Sequence, residues 1–591
     1  MLFTKIESGD YMNIQEADIM AGIMENPDIT QRELAKLTGY SIGKVNKSLK
    51  SLMSNHYIDE QNNLTQKAIF ELQEKKPHNA IILAAGYGMR MVPINVELPK
   101  GLLEVNNEPL IERIINQLHD VGITKIDIVV GFMKEQYEYL IDKYNVNLVF
   151  CSEYSQKNNL HSLNSVIDNI GNTYIVPCDI WCKTNPFSKQ EWYSWYMITD
   201  RMQEKNPVRI NRKMELVYAK GHELGNVMIG IAYILKKEAN LMQKKISEYV
   251  KKSQYDNAFW EEAIIENGKM IVSPKKVDDS LVYEINTYEQ LRELDSGSNH
   301  LQTDVIKLIC KVLDCEKEDI RDIRALKKGM TNRSFEFKYN NKRYIMRVPG
   351  EGTDKMINRQ NEYNVYEKLR EKNISDPLIY ISSENGYKIT EYIENAKICD
   401  STKQEDVRKC MKFLREFHEM NIKVDHNFDI FERIEYYEKL RGNVPSIYRD
   451  YEITKKKMYE LKEYIDMQPK QISLTHIDAV CDNFLMTDKK VYLIDWEYAG
   501  MQDIHVDIAM FAIYALYDRK MVDKLILAYF PEGVDDNVKI KIYCYIAICG
   551  FLWSNWCEYK YMCGVEFGEY SLRQYRYAKD YYKIVKEEYH V

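Results

Sequence analysis

The sequence is poor in proline and glycine for its length, with 14 Pro and 25 Gly in 591 residues. Collagen-like and broadly disordered chains are excluded by that scarcity, because both are rich in these residues. A dominant charge is also missing. The 81 basic and 89 acidic residues leave a net charge of −8, so a chain-wide grip on nucleic acid is not expected, although a local basic patch stays compatible. Its 12 Cys have no zinc spacing: Cys178 and Cys182 come nearest, and no second pair completes a site. MLFTKIESGDYMN contains no apolar h-region, so reduced thiols and a cytoplasmic location are expected. The longest apolar run, Ile542 to Trp553, is shorter than the roughly 20 residues needed to span a bilayer and reads as a buried helix.

What the chain does have is size. Its 591 residues exceed what one hydrophobic core organises, and the length prior is about four domains. Three textures divide it. Residues 1–76 carry short helical patterns, and residues 77–297 alternate β-rich runs (AIILAAG, IDIVVGF, NLVFC, TYIVPCD) with helical segments, the pattern of a doubly wound, Rossmann-like α/β sheet. Residues 298–591 are helix-rich after a strand-like opening from Arg333 to Val348. No fixed-period repeat interrupts this order.

In the first region, Thr30 and Glu33 form a capping-box pair, Gly39 supplies a turn, and Ser41 caps a second helix with Val45, Leu49 and Leu52 on one face. Asn55 to Leu64 then reads as a small wing. The arrangement resembles a winged helix–turn–helix domain. Lys44, Lys47 and Lys50 fall at i, i+3 and i+6, a spacing that suits phosphates along a major groove. Yet residues 1–76 hold 9 basic against 11 acidic residues, so DNA binding and a docking or purely structural role both stay open.

The middle region opens with Leu83-Ala84-Ala85-Gly86-Tyr87-Gly88-Met89-Arg90, followed by Pro99-Lys100. A glycine loop directly after a buried strand lets backbone N–H groups approach phosphates, and Arg90 and Lys100 bring positive charge to it. Asp179 ends a later buried strand, where open α/β sheets place ligands. These residues resemble the sugar-nucleotide pyrophosphorylase-like nucleotidyltransferases over about 220 residues. The resemblance implies nucleotide binding by Ala85, Gly86 and Gly88, catalysis by Arg90 and Lys100, and Mg²⁺ held by Asp179 with Glu284 and Asn286. Asn286 departs from the family's usual Asp and lowers the ligand charge. Asn158-Asn159-Leu160-His161-Ser162-Leu163 and the Asn257-to-Glu261 segment are similar to phosphocholine and related cytidylyltransferases. That likeness implies CTP contacts at Asn159 and Ser162. One or two of Trp181, Trp192, Trp195 and Trp260, with Trp260 the named candidate, are expected to box a quaternary ammonium.

In the third region, His476-x-Asp478-x-x-x-x-Asn483 precedes Ile494-Asp495-Trp496-Glu497. Asp478 can take the proton of an attacking hydroxyl, Asn483 and Asp495 can hold Mg²⁺, and His476 can brace the loop. Upstream, Gly329 to Phe335 reads as a nucleotide-covering turn with Thr331 and Asn332 at the ATP, and Arg347 is expected to pair with Glu362. These residues resemble the choline/ethanolamine kinase family over about 290 residues, which implies an α+β, two-lobed, protein-kinase-like phosphotransferase. Trp553 and Trp556, at i and i+3, match the pair such kinases use for the trimethylammonium head. Tyr514 and Tyr517 are weaker candidates for the same cage. Together the resemblances imply a multidomain chain that phosphorylates choline with ATP and transfers CMP from CTP to phosphocholine. Ethanolamine, an aminoethyl-phosphonate, or a transcription regulator with enzyme-derived sensor domains are the alternative readings.

Overall fold

A computed structural model describes residues 12–204, 206–219, 223–326, 332–350, 356–442, 444–563 and 567–590. The chain forms two compact units, Met1–Thr303 and Asp304–Val591.

The first unit begins with four helices, Ile14–Glu25, Gln31–Thr38, Ile42–Ser54 and Gln66–Glu74. Each starts on a side-chain cap: Asn13, Thr30, Ser41 and Thr65 accept from backbone N–H groups of the first turn. Gly39, at φ +71°, makes the turn between the second and third. A single antiparallel bridge, Ile58 to Leu64, forms the wing. This is a winged helix, and its core has a guest. Trp192, 6% exposed, packs with Ile19, Leu34, Val45, Leu52 and Tyr57. Tyr193 donates to Asp18 Oδ1 at 2.8 Å, Tyr40 donates to the other oxygen of the same carboxylate, and Asn172 Nδ2 donates to the Glu74 carbonyl at 2.7 Å. Side chains from both sides of residue 76 thus share one core.

Seven strands make the central sheet of this unit. Their spatial order is Ser273–Val277, Trp195–Gln203, Gly225–Ile234, Thr173–Pro177, Asn79–Ala84, Ile126–Val130 and Asn147–Phe150. Asn79–Ala84 runs parallel to both neighbours, while Gly225–Ile234 runs antiparallel to both of its own. Alternation explains the unbroken apolar runs. Ile82 and Ala84 face a layer with Ile111, Ile115 and Leu118, whereas Ile81 and Leu83 face Leu160, Leu163 and Met242. Both faces are covered, so the strand ends are left to hold chemistry.

The second unit has two lobes. A five-stranded antiparallel sheet, in the order Arg321–Ala325, Asn332–Tyr339, Lys342–Pro349, Lys388–Glu391 and Leu378–Ile381, carries the helix Arg359–Leu369. The other lobe is helical and is built around Asp536–Met562, whose middle is buried on every side. That helix contains the apolar run expected to be buried. Among the described residues, no helix is long and apolar enough to cross a membrane.

Candidate active sites

In the first unit the glycine loop leaves the buried strand Asn79–Ala84, and Gly88 takes φ +59°. The following turns bring Arg90 and Lys100 back to the strand ends. There Asn286 Oδ1 accepts from Arg90 Nη2 at 2.6 Å and from Lys100 Nζ at 2.7 Å, and Lys100 also pairs with Asp179. Four of the sequence-predicted residues, Arg90, Lys100, Asp179 and Asn286, are therefore linked in one cluster in which two cations share the Asn286 amide oxygen. Glu284 lies two residues away, on Val282–Glu284, which pairs with Ile180–Cys182. Desolvation, followed by the Asp179 charge, lifts its carboxyl above the usual value.

Asn159 and Ser162 lie on the short helix Asn159–Asn164. Asn159 Oδ1 accepts from the Trp260 backbone N–H at 2.9 Å, which ties the Asn-Asn segment to the Asn257-to-Glu261 segment, and Ser162 is buried. The tryptophans divide by place. Trp260 is 1% exposed and packs at a tilt against Tyr196, 5.9 Å away, inside the core, so the expectation that it contacts substrate is corrected: its ring is covered by core side chains. Trp192 belongs to the winged-helix core, and the Lys275 ammonium covers Trp195 at 3.9 Å. Trp181 remains half-buried at the site, beside Tyr283 at 5.8 Å and under the Arg113 guanidinium at 4.9 Å.

In the second unit Arg347 is buried and donates to Glu362 Oε1 at 2.5 Å and to Asp495 Oδ1 at 3.3 Å. Arg359 holds the other Glu362 oxygen at 3.0 Å. Burial alone would raise the Glu362 carboxyl, but the charge and hydrogen bond of Arg347, with Lys388 and Arg359, bring it down to about 2. Asn483 Nδ2 donates to the Asp478 carbonyl at 2.9 Å and to its Oδ2 at 3.1 Å. Burial, then the facing Asp495 charge, pushes Asp478 up to about 8. His476 stacks edge-on against Trp496 at 4.4 Å, and its Nε2 meets the Ile494 carbonyl at 3.0 Å. Thr331 and the Asn332 side chain lie outside the described residues.

Trp553 and Trp556 form a T-shaped pair at 5.6 Å. Tyr498 stands against Trp553 at 5.7 Å, Phe567 against Trp556 at 5.0 Å, and Tyr570 against Phe567 at 6.3 Å. Burial first, then Tyr437 for one and Cys557 for the other, with Asp478 contributing to both, hold the Tyr498 and Tyr570 hydroxyls well above their ordinary value. An aromatic enclosure thus lies beside the carboxylate. Tyr514 joins its edge, 6.2 Å from Tyr570, and donates to Asp482 at 2.9 Å. Tyr517 does not. It packs on Phe511 and donates to the Ser401 carbonyl, so its candidacy for the cage is corrected.

Comparison with known proteins decides the family. A 2-aminoethylphosphonate cytidylyltransferase of Lancefieldella rimae is 29% identical over 38% of this chain and 94% of its own length. A choline-phosphate cytidylyltransferase of Streptococcus pneumoniae is 30% identical over 36% of this chain and 96% of its own length. This chain belongs to the choline-phosphate cytidylyltransferase family. Profiles described as MobA-like NTP transferase domain, winged helix–turn–helix DNA-binding and choline/ethanolamine kinase match residues 80–190, 12–59 and 323–575. The crystal structure of choline kinase LicA from Streptococcus pneumoniae is similar to this chain at 28% identity over 47% of this chain and 99% of that one, with a TM-score of 0.42. By the profile matches, the cytidylyltransferase is joined to a kinase domain and preceded by a winged helix.

Several supports of the two sites went unread in the sequence. Asp507, fully buried, accepts from the His476 and Ile477 backbone N–H groups at 2.9 and 2.7 Å and lies 3.0 Å from His418 Nε2. It anchors Ile477 at φ +70°, a conformation that costs a β-branched residue about 1–3 kcal/mol. The available signal was a lone acid inside the apolar run His505-Val-Asp-Ile-Ala-Met-Phe. Arg359, Tyr498, Phe567 and Tyr570 carried no comparable signal.

Proposed function

We propose that the protein phosphorylates choline with ATP, giving phosphocholine and ADP, and then transfers CMP from CTP to phosphocholine, giving CDP-choline and pyrophosphate. One observation carries this reading: a near-complete match to a choline-phosphate cytidylyltransferase shares the chain with a choline/ethanolamine kinase match. The product of one step is the substrate of the other.

In the transferase, the nucleophile is a phosphomonoester, already anionic at neutral pH, so no general base is required. Backbone N–H groups at Ala85, Gly86 and Gly88 cradle the CTP phosphates, with Asn159 and Ser162 contributing at the nucleotide. Arg90 and Lys100 neutralise the charge that builds on the α-phosphoryl group. In the kinase, Asp478 accepts the proton of the choline hydroxyl as it attacks the γ-phosphorus. Arg347, held by Glu362, meets the ATP phosphates; the expected nucleotide contacts of Thr331 and Asn332 fall outside the described side chains. Trp553 and Trp556 offer their ring faces to the trimethylammonium group.

Both sites fit Mg²⁺. Asp179, Glu284 and Asn286 in one, and Asn483 and Asp495 in the other, are the hard oxygen donors this ion prefers. Burial first, and a facing carboxylate second (Asp179 and Asp495), raise Glu284 and Asp478, and a bound cation would offset those paired negative charges. Among the described residues, no group of three or more His, Cys, Asp or Glu could hold a metal ion, so in this reading amide oxygens and substrate phosphates supply the remaining ligands. When bound, Mg²⁺ screens the phosphate charge.

A cytoplasmic location belongs to this reading, because ATP and CTP are supplied there. Product analysis of the full chain with choline, ATP, CTP and Mg²⁺ tests the reading; absence of CDP-choline from active, folded protein refutes it. The phosphonate-named relative favours one second reading, an ethanolamine or aminoethyl-phosphonate substrate, which a substrate panel separates. For the winged helix, exposed Lys47 and Lys50 suit duplex phosphates. Retention of duplex DNA by the full chain, lost with Lys47→Ala/Lys50→Ala or with added salt, tests DNA contact and with it the regulator reading.

A further inference from the structure

The glycine loop carries a side chain in its middle that phosphate binding does not account for. Gly86 lies in open space, where an added Cβ would meet nothing within 4 Å, and Gly88 occupies the left-handed region. A loop with two such residues samples many shapes and must lose that freedom when a nucleotide arrives. Tyr87, between them, is not loose. Its ring lies 4.9 Å from Phe132 and 5.2 Å from Tyr154. The Phe132 N–H donates to the Ala85 carbonyl at 3.1 Å, on the first residue of the loop. Gly131 makes this approach possible, because a Cβ there would lie 2.5 Å from Tyr154 Cγ and 2.7 Å from the Ala85 oxygen. Tyr154 is backed in turn by Phe150 at 6.4 Å. Segments that follow three neighbouring parallel strands therefore converge on one ring of the loop.

We propose that Tyr87, Phe132 and Tyr154 form an aromatic clamp that holds the glycine loop in its nucleotide-receiving shape before CTP binds. The proposal rests on the reading of residues 85–90 as the CTP phosphate loop. The three are positioning residues: they act on the loop backbone and not on the reacting atoms. Without the clamp, the ordering cost falls on the binding step. Once CTP is bound the loop is ordered anyway, so the chemical step keeps its rate.

The test measures cytidylyl transfer by the full chain carrying Tyr87→Ala, Tyr154→Ala, both together, or Tyr87→Phe. Each alanine variant raises the KM for CTP about 10-fold, the size expected when an aromatic pair is lost, with kcat within about 2-fold. The double variant is no worse than the poorer single one, because both break the same contact. Tyr87→Phe keeps the clamp and the wild-type KM. Tyr154→Leu, which keeps apolar bulk without the ring, replaces Tyr154→Ala if that protein does not fold, and thermal unfolding of each preparation checks this. Multiplicative effects in the double variant, a fall in kcat at unchanged KM, or Tyr87→Phe as impaired as Tyr87→Ala would each overturn the clamp. Undiminished CTP turnover in Arg90→Ala and Lys100→Ala would instead overturn the loop reading itself.

Discussion

In the transferase, Arg90 and Lys100 converge on one amide oxygen, with Asp179 paired to Lys100. In the kinase, one buried guanidinium is ringed by Glu362, Asp495 and Glu497, and Asp478 is pushed up to about 8. The nucleophiles explain the opposite inventories. A phosphomonoester brings its own charge and needs neutralisation, whereas an alcohol must give up a proton and needs a carboxylate. Two phosphoryl chemistries on one chain therefore require different charge balances at sites that both bind nucleotides.

The sharpest way to break this comparison is to remove one centre at a time. Asp478→Ala lowers phosphocholine formation by about 10²–10⁴-fold, the usual contribution of a general base, and leaves CDP-choline synthesis from added phosphocholine intact. Lys100→Ala does the reverse. Coupled assays with each intermediate supplied read both, and loss of both activities in folded Asp478→Ala would sink the two-site account.

Stability gives the next largest contrast. Glu362→Gln removes the shortest of the carboxylate contacts of Arg347, leaving Asp495 and Glu497 to face it, and costs the kinase unit about 1–3 kcal/mol, measured by chemical denaturation. The folded carboxyl lies near 2 and its ordinary value is 4.5, so the stabilisation is complete above the ordinary value. It is lost as pH falls toward about 2, and the gap between wild type and variant should close over that range. A gap independent of pH would assign the loss to packing.

Smaller effects sharpen substrate choice and metal use. Trp553→Ala raises the KM for choline by roughly 3- to 30-fold, the range of one cation–π contact, and that for ethanolamine by less. Equal effects on both alcohols would make the indole a packing residue. Asn286→Asp restores a charged ligand and should lower the Mg²⁺ needed for half-maximal transferase rate by a few-fold, while kinase Mg²⁺ dependence stays fixed. An unchanged titration would mean that Asn286 serves Arg90 and Lys100 alone.

Much of this was legible in local spacing. The glycine loop, HxDxxxxN and the Arg347–Glu362 pairing each sit in a short segment or on a predictable element, where backbone geometry dictates what a residue reaches. The tryptophans show where legibility stops. Trp181, Trp192, Trp195 and Trp260 are the same residue type in one region, yet they lie at a strand pair near the site, in the winged-helix core, under Lys275 and in the sheet core. Which way a large ring turns depends on partners distant in sequence, and no local pattern encodes that.

By itself the sequence determined the order of modules, the two phosphate-binding motifs and the chemistry their residue types allow, because these depend on contiguous backbone and side-chain acidity. Tertiary structure alone decided that Asn286 becomes the shared acceptor of two cations, that Asp507 holds the strained Ile477, and that Trp192 completes a core begun more than a hundred residues earlier. The physical reason is the same in each case. A buried polar or aromatic group is defined by what surrounds it, and its surroundings come from remote parts of the chain.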